Sequence, residues 1–126
     1  STLSSSSAAS DVYKRQIYDF QHMLQANGVS YIEPDVSNCG GITAWMKVAK
    51  LAEAKNLPVT SHGVHDIHVH LLGAVPNASY LEVHGFGLER FILEPLVVKD
   101  GFALAGEAPG HGIDFNWDGL CAHTSD

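Results

Sequence analysis

Short apolar runs alternate along this chain with stretches of helical periodicity. Apolar residues at Ile17, Phe20 and Leu24, with Met23 alongside, follow helical spacing, and Gly28 follows as a stop. Val29–Val36 reads as a strand, and Asn38-Cys39-Gly40-Gly41 as the turn leaving it. Ile42, Trp45, Met46, Ala49 and Ala52 form the stripe of a second helix, with Lys47, Lys50, Glu53 and Lys55 on its wet face. That helix ends at Asn56, ahead of Pro58. Leu57–Ser61 predicts a short strand, Asp66–Val75 a helix stopped by Pro76, and Ser79–Val83 a further strand. After Gly85 the pattern breaks into Gly-rich pieces around Phe91-Ile92-Leu93, Leu96-Val97-Val98 and Ile113-Asp114-Phe115. Strands alternating with helices predict an α/β fold with a parallel sheet.

The chemistry sits where the strands end. Tyr31-Ile32-Glu33-Pro34-Asp35, Thr60-Ser61-His62 and Tyr80-Leu81-Glu82 each carry an apolar run into an ionisable residue. Residues at the carboxyl ends of parallel strands face the pocket, so three consecutive ends place an acid, an imidazole and a second acid side by side. A carboxylate on one ring nitrogen of a histidine fixes its tautomer and raises the basicity of the other nitrogen, which makes a general base. A neighbouring glutamate, kept protonated, can donate to a developing oxyanion. Taken singly, Asp35 and Glu82 read as solvated carboxylates and His62 as a turn residue; three in successive βα units favour function.

Three motifs carry a resemblance: Pro34-Asp-Val-Ser-Asn-Cys-Gly-Gly-Ile-Thr43, Leu57-Pro-Val-Thr-Ser-His62 and Pro76-Asn-Ala-Ser-Tyr-Leu-Glu82. In order and spacing, residues from about Tyr18 to Leu120 resemble the C-terminal part of the mandelate racemase branch of the enolase superfamily. The resemblance implies the C-terminal part of a TIM-like (β/α)7β barrel, incomplete. It implies an enzyme that removes the proton alpha to a carboxylate, with Mg2+ as cofactor. His62 matches the family's base, Asp35 its orienting partner and Glu82 the group that hydrogen-bonds the substrate carboxylate. His84, two residues on, is expected to line the pocket mouth and touch substrate. The family's Mg2+ ligands and its Lys-x-Lys-type base match nothing in this sequence, so no metal ligand is assigned within the chain. The expected activity is that of an acid-sugar dehydratase, a lyase, with a 2-hydroxy-acid racemase or epimerase as the alternative. The partners implied are a small carboxylate substrate and, for the full-length protein, further copies of itself.

Length and charge add bounds. A complete barrel of this kind needs roughly 250 residues, and this chain has 126. It is therefore expected to be a fragment and inactive alone, with residues 17–84 in the barrel and residues 85–126 packing toward a capping domain. Residues 1–16 open with a Ser-rich low-complexity run and are expected to be a disordered or non-native leader. The net charge of −7 comes without a basic stripe, which argues against nucleic-acid binding. No apolar run approaches the length of a membrane span. Cys39 and Cys121 lie far apart and suggest no disulfide framework, which points to a reducing cytoplasm.

His62, His65, His68 and His70 invite a different reading, a non-catalytic His-rich metal-binding module. On a helix beginning near Asp66, His68 and His70 stand roughly 200° apart and cannot share an ion. His65 and His68 could, but no cysteine pair adds the remaining ligands of a structural zinc site. The helical histidines are expected to be packed or hydrogen-bonded.

Overall fold

The computed structural model describes residues 16–85 and 88–123. Helix α1, Ile17–Gln25, buries Phe20 and Leu24, and stops where Asn27 turns left-handed at φ 50°. Helix α2, Ile42–Glu53, buries Trp45, Val48, Ala49 and Ala52 and packs against α1. It begins at Gly41, whose φ of 88° with ψ −173° only glycine adopts without strain. Its end is a Schellman cap. Asn56 is left-handed at φ 54°, its N–H bonds the Glu53 carbonyl, and the Leu57 N–H reaches back to Ala52. Helix α3, His65–Gly73, follows the residues around His62.

The predicted strands are present as a parallel sheet only one residue deep. Ile32 bridges Val59, and Val59 bridges Ala78, both parallel. Four backbone bonds make the contact: Ile32 N–H to Pro58, Thr60 N–H to Ile32, Val59 N–H to Asn77 and Ser79 N–H to Val59. The expected spans Val29–Val36, Leu57–Ser61 and Ser79–Val83 are thus corrected to short bridges. The reason is local. Pro34 and Pro58 have no N–H to give a ladder, and Asp35 O turns away to accept Asn38 and Cys39 N–H groups. Beyond the bridges, side chains continue the pairing. The Thr60 hydroxyl donates to Tyr80 O at 2.5 Å, and Glu82 N–H donates to Ser61 Oγ at 3.0 Å. Ile32 and Val59 are fully buried beneath α1–α3, within one cluster that includes Phe20, Trp45, Val48 and Leu71. Asn77 ties sheet to helix by donating to both Ala49 O and Leu57 O.

The tail holds more regular structure than its Gly-rich pattern suggested. Strands β1 (Val97–Lys99) and β2 (Phe102–Leu104) form an antiparallel hairpin. Asp100 and Gly101, at φ 52° and 82°, make its two-residue turn, the Asp-Gly signature of a primed hairpin. Ile92 bridges Phe115 antiparallel. Helix α4, Trp117–His123, follows Asn116, whose side-chain oxygen accepts the Gly119 N–H. The expected leader, save Gln16, lies outside the described residues.

Candidate active site

The adjacent sheet ends bring Asp35, His62 and Glu82 together. Asp35 is buried, at 6 % exposure, and both its oxygens are engaged. Oδ1 accepts the Ser37 N–H at 2.8 Å and the Ser37 hydroxyl at 2.6 Å, while Oδ2 accepts from Asn38 at 2.8 Å. His62 Nδ1 stands 3.5 Å from the same Oδ2. Burial pushes the Asp35 carboxyl up, but the Ser37 bonds, with His62 and the nearby His68, outweigh it and hold the group below its ordinary range. A charged Asp35 favours the tautomer with the proton on Nδ1, and so leaves the Nε2 lone pair toward the pocket.

That Nε2 lies 4.0 Å from Glu82 Oε2. The same oxygen accepts the Gly63 N–H at 3.3 Å and contacts His84 Nε2 at 2.7 Å. His84 in turn meets His62 edge-on, ring centroids 5.2 Å apart, and its backbone N–H donates to His65 Nδ1 at 3.3 Å. His65 Nε2 faces the Asp66 carboxylate at 3.5 Å, and Asp66 also accepts the Leu96 N–H, tying α3 to the tail. A pocket of about 430 Å³ opens over this group, lined by Asp35, His62, His65, His84, Leu88 and Phe91 among others.

Two contributors, Gly63 and Glu33, were not singled out from the sequence, and a third, His68, is packed and hydrogen-bonded as expected. Gly63, at φ +75°, passes so close over Asp35 that a Cβ there would sit 3.0 Å from Oδ2. The Gly after His62 was the available signal, but only the crossing of two loops gives it meaning. Glu33 lies two residues before Asp35, in the segment that leaves the Ile32 bridge. Burial raises its carboxyl and the charge of Glu82 adds to this, against His62 and His84, so Glu33 belongs electrostatically to the same group. His68 is the third. It is fully buried; its Nε2 accepts the Val36 N–H at 3.1 Å, and its Nδ1 stands 2.9 Å from Val64 O. It therefore spans from α3 to the segment following Asp35, while Trp45 Nε1–H holds Pro34 O from α2 at 3.0 Å. Both ring nitrogens being committed in the core, His68 does not pair with His65 around an ion.

Mg2+ asks for a near-octahedral set of oxygen ligands. The residues here do not fit it: Asp35 has spent its oxygens on Ser37, Asn38 and His62, and two of the remaining donors are imidazoles.

Comparison with known proteins matches residues 9–119 to the family described as enolase C-terminal domain-like. A 3,6-anhydro-alpha-L-galactonate cycloisomerase from Streptomyces coelicolor is 49% identical over 104 residues, covering 82% of this chain and 29% of that protein. The D-galactonate dehydratase family member ManD from Chromohalobacter salexigens is 33% identical over 79% of this chain and 27% of its own length. Among solved structures, a racemase from Streptomyces coelicolor A3(2) with bound magnesium superposes with a TM-score of 0.89 at 42% identity, over 94% of this chain and 32% of that one. L-Talarate dehydratase from Polaromonas sp. JS666, complexed with Mg and L-glucarate, gives 0.83 at 28% identity, over 90% and 31%. The chain thus spans under a third of the length of these relatives. With its parallel sheet ends, its motifs and these likenesses, the chain belongs to the enolase C-terminal domain-like family.

Proposed function

We propose that this chain supplies the acid–base residues of an acid-sugar dehydratase, which takes the proton alpha to a carboxylate and then expels water from the β-carbon. The observation that carries this reading is the His62 ring, oriented by Asp35 on one nitrogen and facing the pocket and Glu82 with the other. His62 Nε2 accepts the α-proton. Asp35, held ionised by Ser37 and Asn38, stabilises the imidazolium that results. The protonated ring then stands ready to deliver its proton to the departing hydroxyl. Glu82 and His84, hydrogen-bonded to each other, line the place where the substrate carboxylate docks. Relatives named as a D-galactonate dehydratase and a D-xylonate dehydratase support this substrate class. Magnesium in the neighbouring structures supports Mg2+ as cofactor, held in this reading by residues other than those of the dyad.

One observation favours a second reading. The relative at 49% identity is a cycloisomerase of an anhydro sugar acid. If the leaving group is a ring ether oxygen on the β-carbon, the same proton removal opens a ring instead of releasing water. Racemisation, in which the proton returns to the other face, is the remaining variant, in line with the neighbour named a racemase.

The test is solvent deuterium exchange at the α-carbon of aldonate substrates, using the full-length protein with Mg2+. His62→Asn is expected to abolish exchange while Mg2+ binding persists. Exchange at the parent rate in that variant would remove His62 from the mechanism.

A further inference from the structure

His62 belongs to a second grouping through its other nitrogen. His62, Glu82 and His84 each offer one ligand atom, and these atoms lie within 4.8 Å of one another. We propose that His62, Glu82 and His84 form a three-ligand site for a borderline divalent transition ion of the Zn2+ class. Two imidazoles and one carboxylate are the donor set such ions favour, with open positions left for water or substrate. The geometry is close to what is needed. Donors on a tetrahedral ion at about 2.1 Å stand about 3.4 Å apart, so binding draws the His62 Nε2 in from 4.0 Å of Glu82 Oε2 and opens the 2.7 Å His84–Glu82 contact.

The surroundings fit as well. Asp35 on His62 Nδ1 reproduces the carboxylate–histidine–metal arrangement, which orients the ligand ring. The backbone N–H of His84 donates to His65 Nδ1, which fixes the segment that carries the ring. Glu33 and Glu82 repel one another across the group, and a divalent cation between the rings would relieve that. The three side chains are 21–36 % exposed, so an ion reaches them from the pocket. The site differs in kind from a Mg2+ site. Nitrogen donors raise affinity for later transition metals and do little for a hard cation. One consequence rests on the acid–base reading above: a Zn2+ ion here occupies the His62 lone pair that would take the α-proton, and so blocks the base.

The experiment is calorimetric titration of the tag-free chain with ZnCl2, with no substrate present. The expected result is one equivalent bound and not displaced by excess MgCl2. His84→Gln and Glu82→Gln should each abolish binding. Asp35→Asn, which touches the ring and not the ion, should weaken it about 10–100-fold. His22→Gln, on the exposed face of α1, should leave it unchanged. Should a variant fail to fold, long-range 1H–15N spectra of the parent decide: Zn2+ should move the His62 and His84 ring nitrogens and leave those of His68 in place. Absence of Zn2+ binding, binding that survives both His84→Gln and Glu82→Gln, loss of binding in His22→Gln, or displacement by Mg2+ would each overturn the site. Because the ion is read without turnover, failure here leaves the exchange test of His62 standing, and failure of that test leaves this one standing.

Discussion

Replacing His68 by leucine should destabilise the chain by about 2–4 kcal/mol, and the figure follows from counting which buried groups lose partners. Leucine fills a similar volume, so the cavity contribution is small. The Val36 N–H loses its acceptor, Nε2, and an orphaned buried donor costs about 1–3 kcal/mol. Val64 O loses the contact from Nδ1 but keeps the helical N–H groups of Ile67 and His68, so that loss is one neutral hydrogen bond, about 0.5–1.5 kcal/mol. For a domain whose total stability is about 5–15 kcal/mol this is large. In urea, with a slope of about 1–3 kcal/mol per molar, the helix signal in circular dichroism should show a midpoint roughly 1–2 M lower, at fixed chain concentration. His68→Gln should recover part of the loss, since the amide oxygen can accept the Val36 N–H. The pH dependence gives a second readout. Burial holds the His68 pKa below the ordinary histidine value of 6.5, with the backbone contacts of Val64, Gly63 and Pro34 and the charge of Asp35 opposing. The unfolded chain then binds more protons than the folded one as pH drops below 6.5, so this contribution is complete above that value and falls away as pH declines toward the folded pKa. His68→Leu should lose that part of the acid sensitivity. An unchanged urea midpoint in His68→Leu, or a glutamine variant no more stable than the leucine one, would refute the strut.

Gly63→Ala should be costly for two reasons: left-handed backbone costs an alanine about 1–2 kcal/mol, and its Cβ would press on Asp35 Oδ2 at 3.0 Å. Thermal unfolding should show the lower stability, and the His62 ring resonances should shift as Asp35 is displaced; the absence of both changes would contradict the crossing. Thiol labelling should modify Cys121 well before Cys39, because burial, with the negative charge of Asp35 adding, pushes the Cys39 thiol up to about 11, while Cys121 is exposed. Equal labelling rates in the folded chain would mean that the segment after Asp35 opens readily.

The placement of Asp35, His62 and Glu82 side by side was legible because it depends on order along the chain. Asp35, His62 and Glu82 close three consecutive apolar runs, and a right-handed parallel crossover sets such ends side by side whatever fills the helices between. The same logic made α1, α2 and α3 legible to within a few residues, since an apolar stripe at helical spacing must be buried. Strand length was not legible. Apolar residues at 29, 31 and 32 satisfy a strand pattern, but ladder depth depends on which N–H groups survive the prolines and on whether Thr60 and Ser61 take over the pairing with their hydroxyls. The hairpin of β1 and β2 had a local signal in Asp100-Gly101 that the brevity of its strands concealed.

Sequence by itself determined the helices, the parallel order of the sheet and the identity of the residues at its edge, because these follow from periodicity and chain connectivity. Tertiary structure alone decided what those residues touch. That Gly63 must lack a side chain, that Glu33 shares the field of Glu82, and that His68 reaches the Val36 N–H while His84 joins His62 are facts about segments that meet across distances of 19 to 49 positions. Hydrogen bonds and charges act through space over a few ångströms, and no pattern of neighbours along the chain encodes which two loops will come that close.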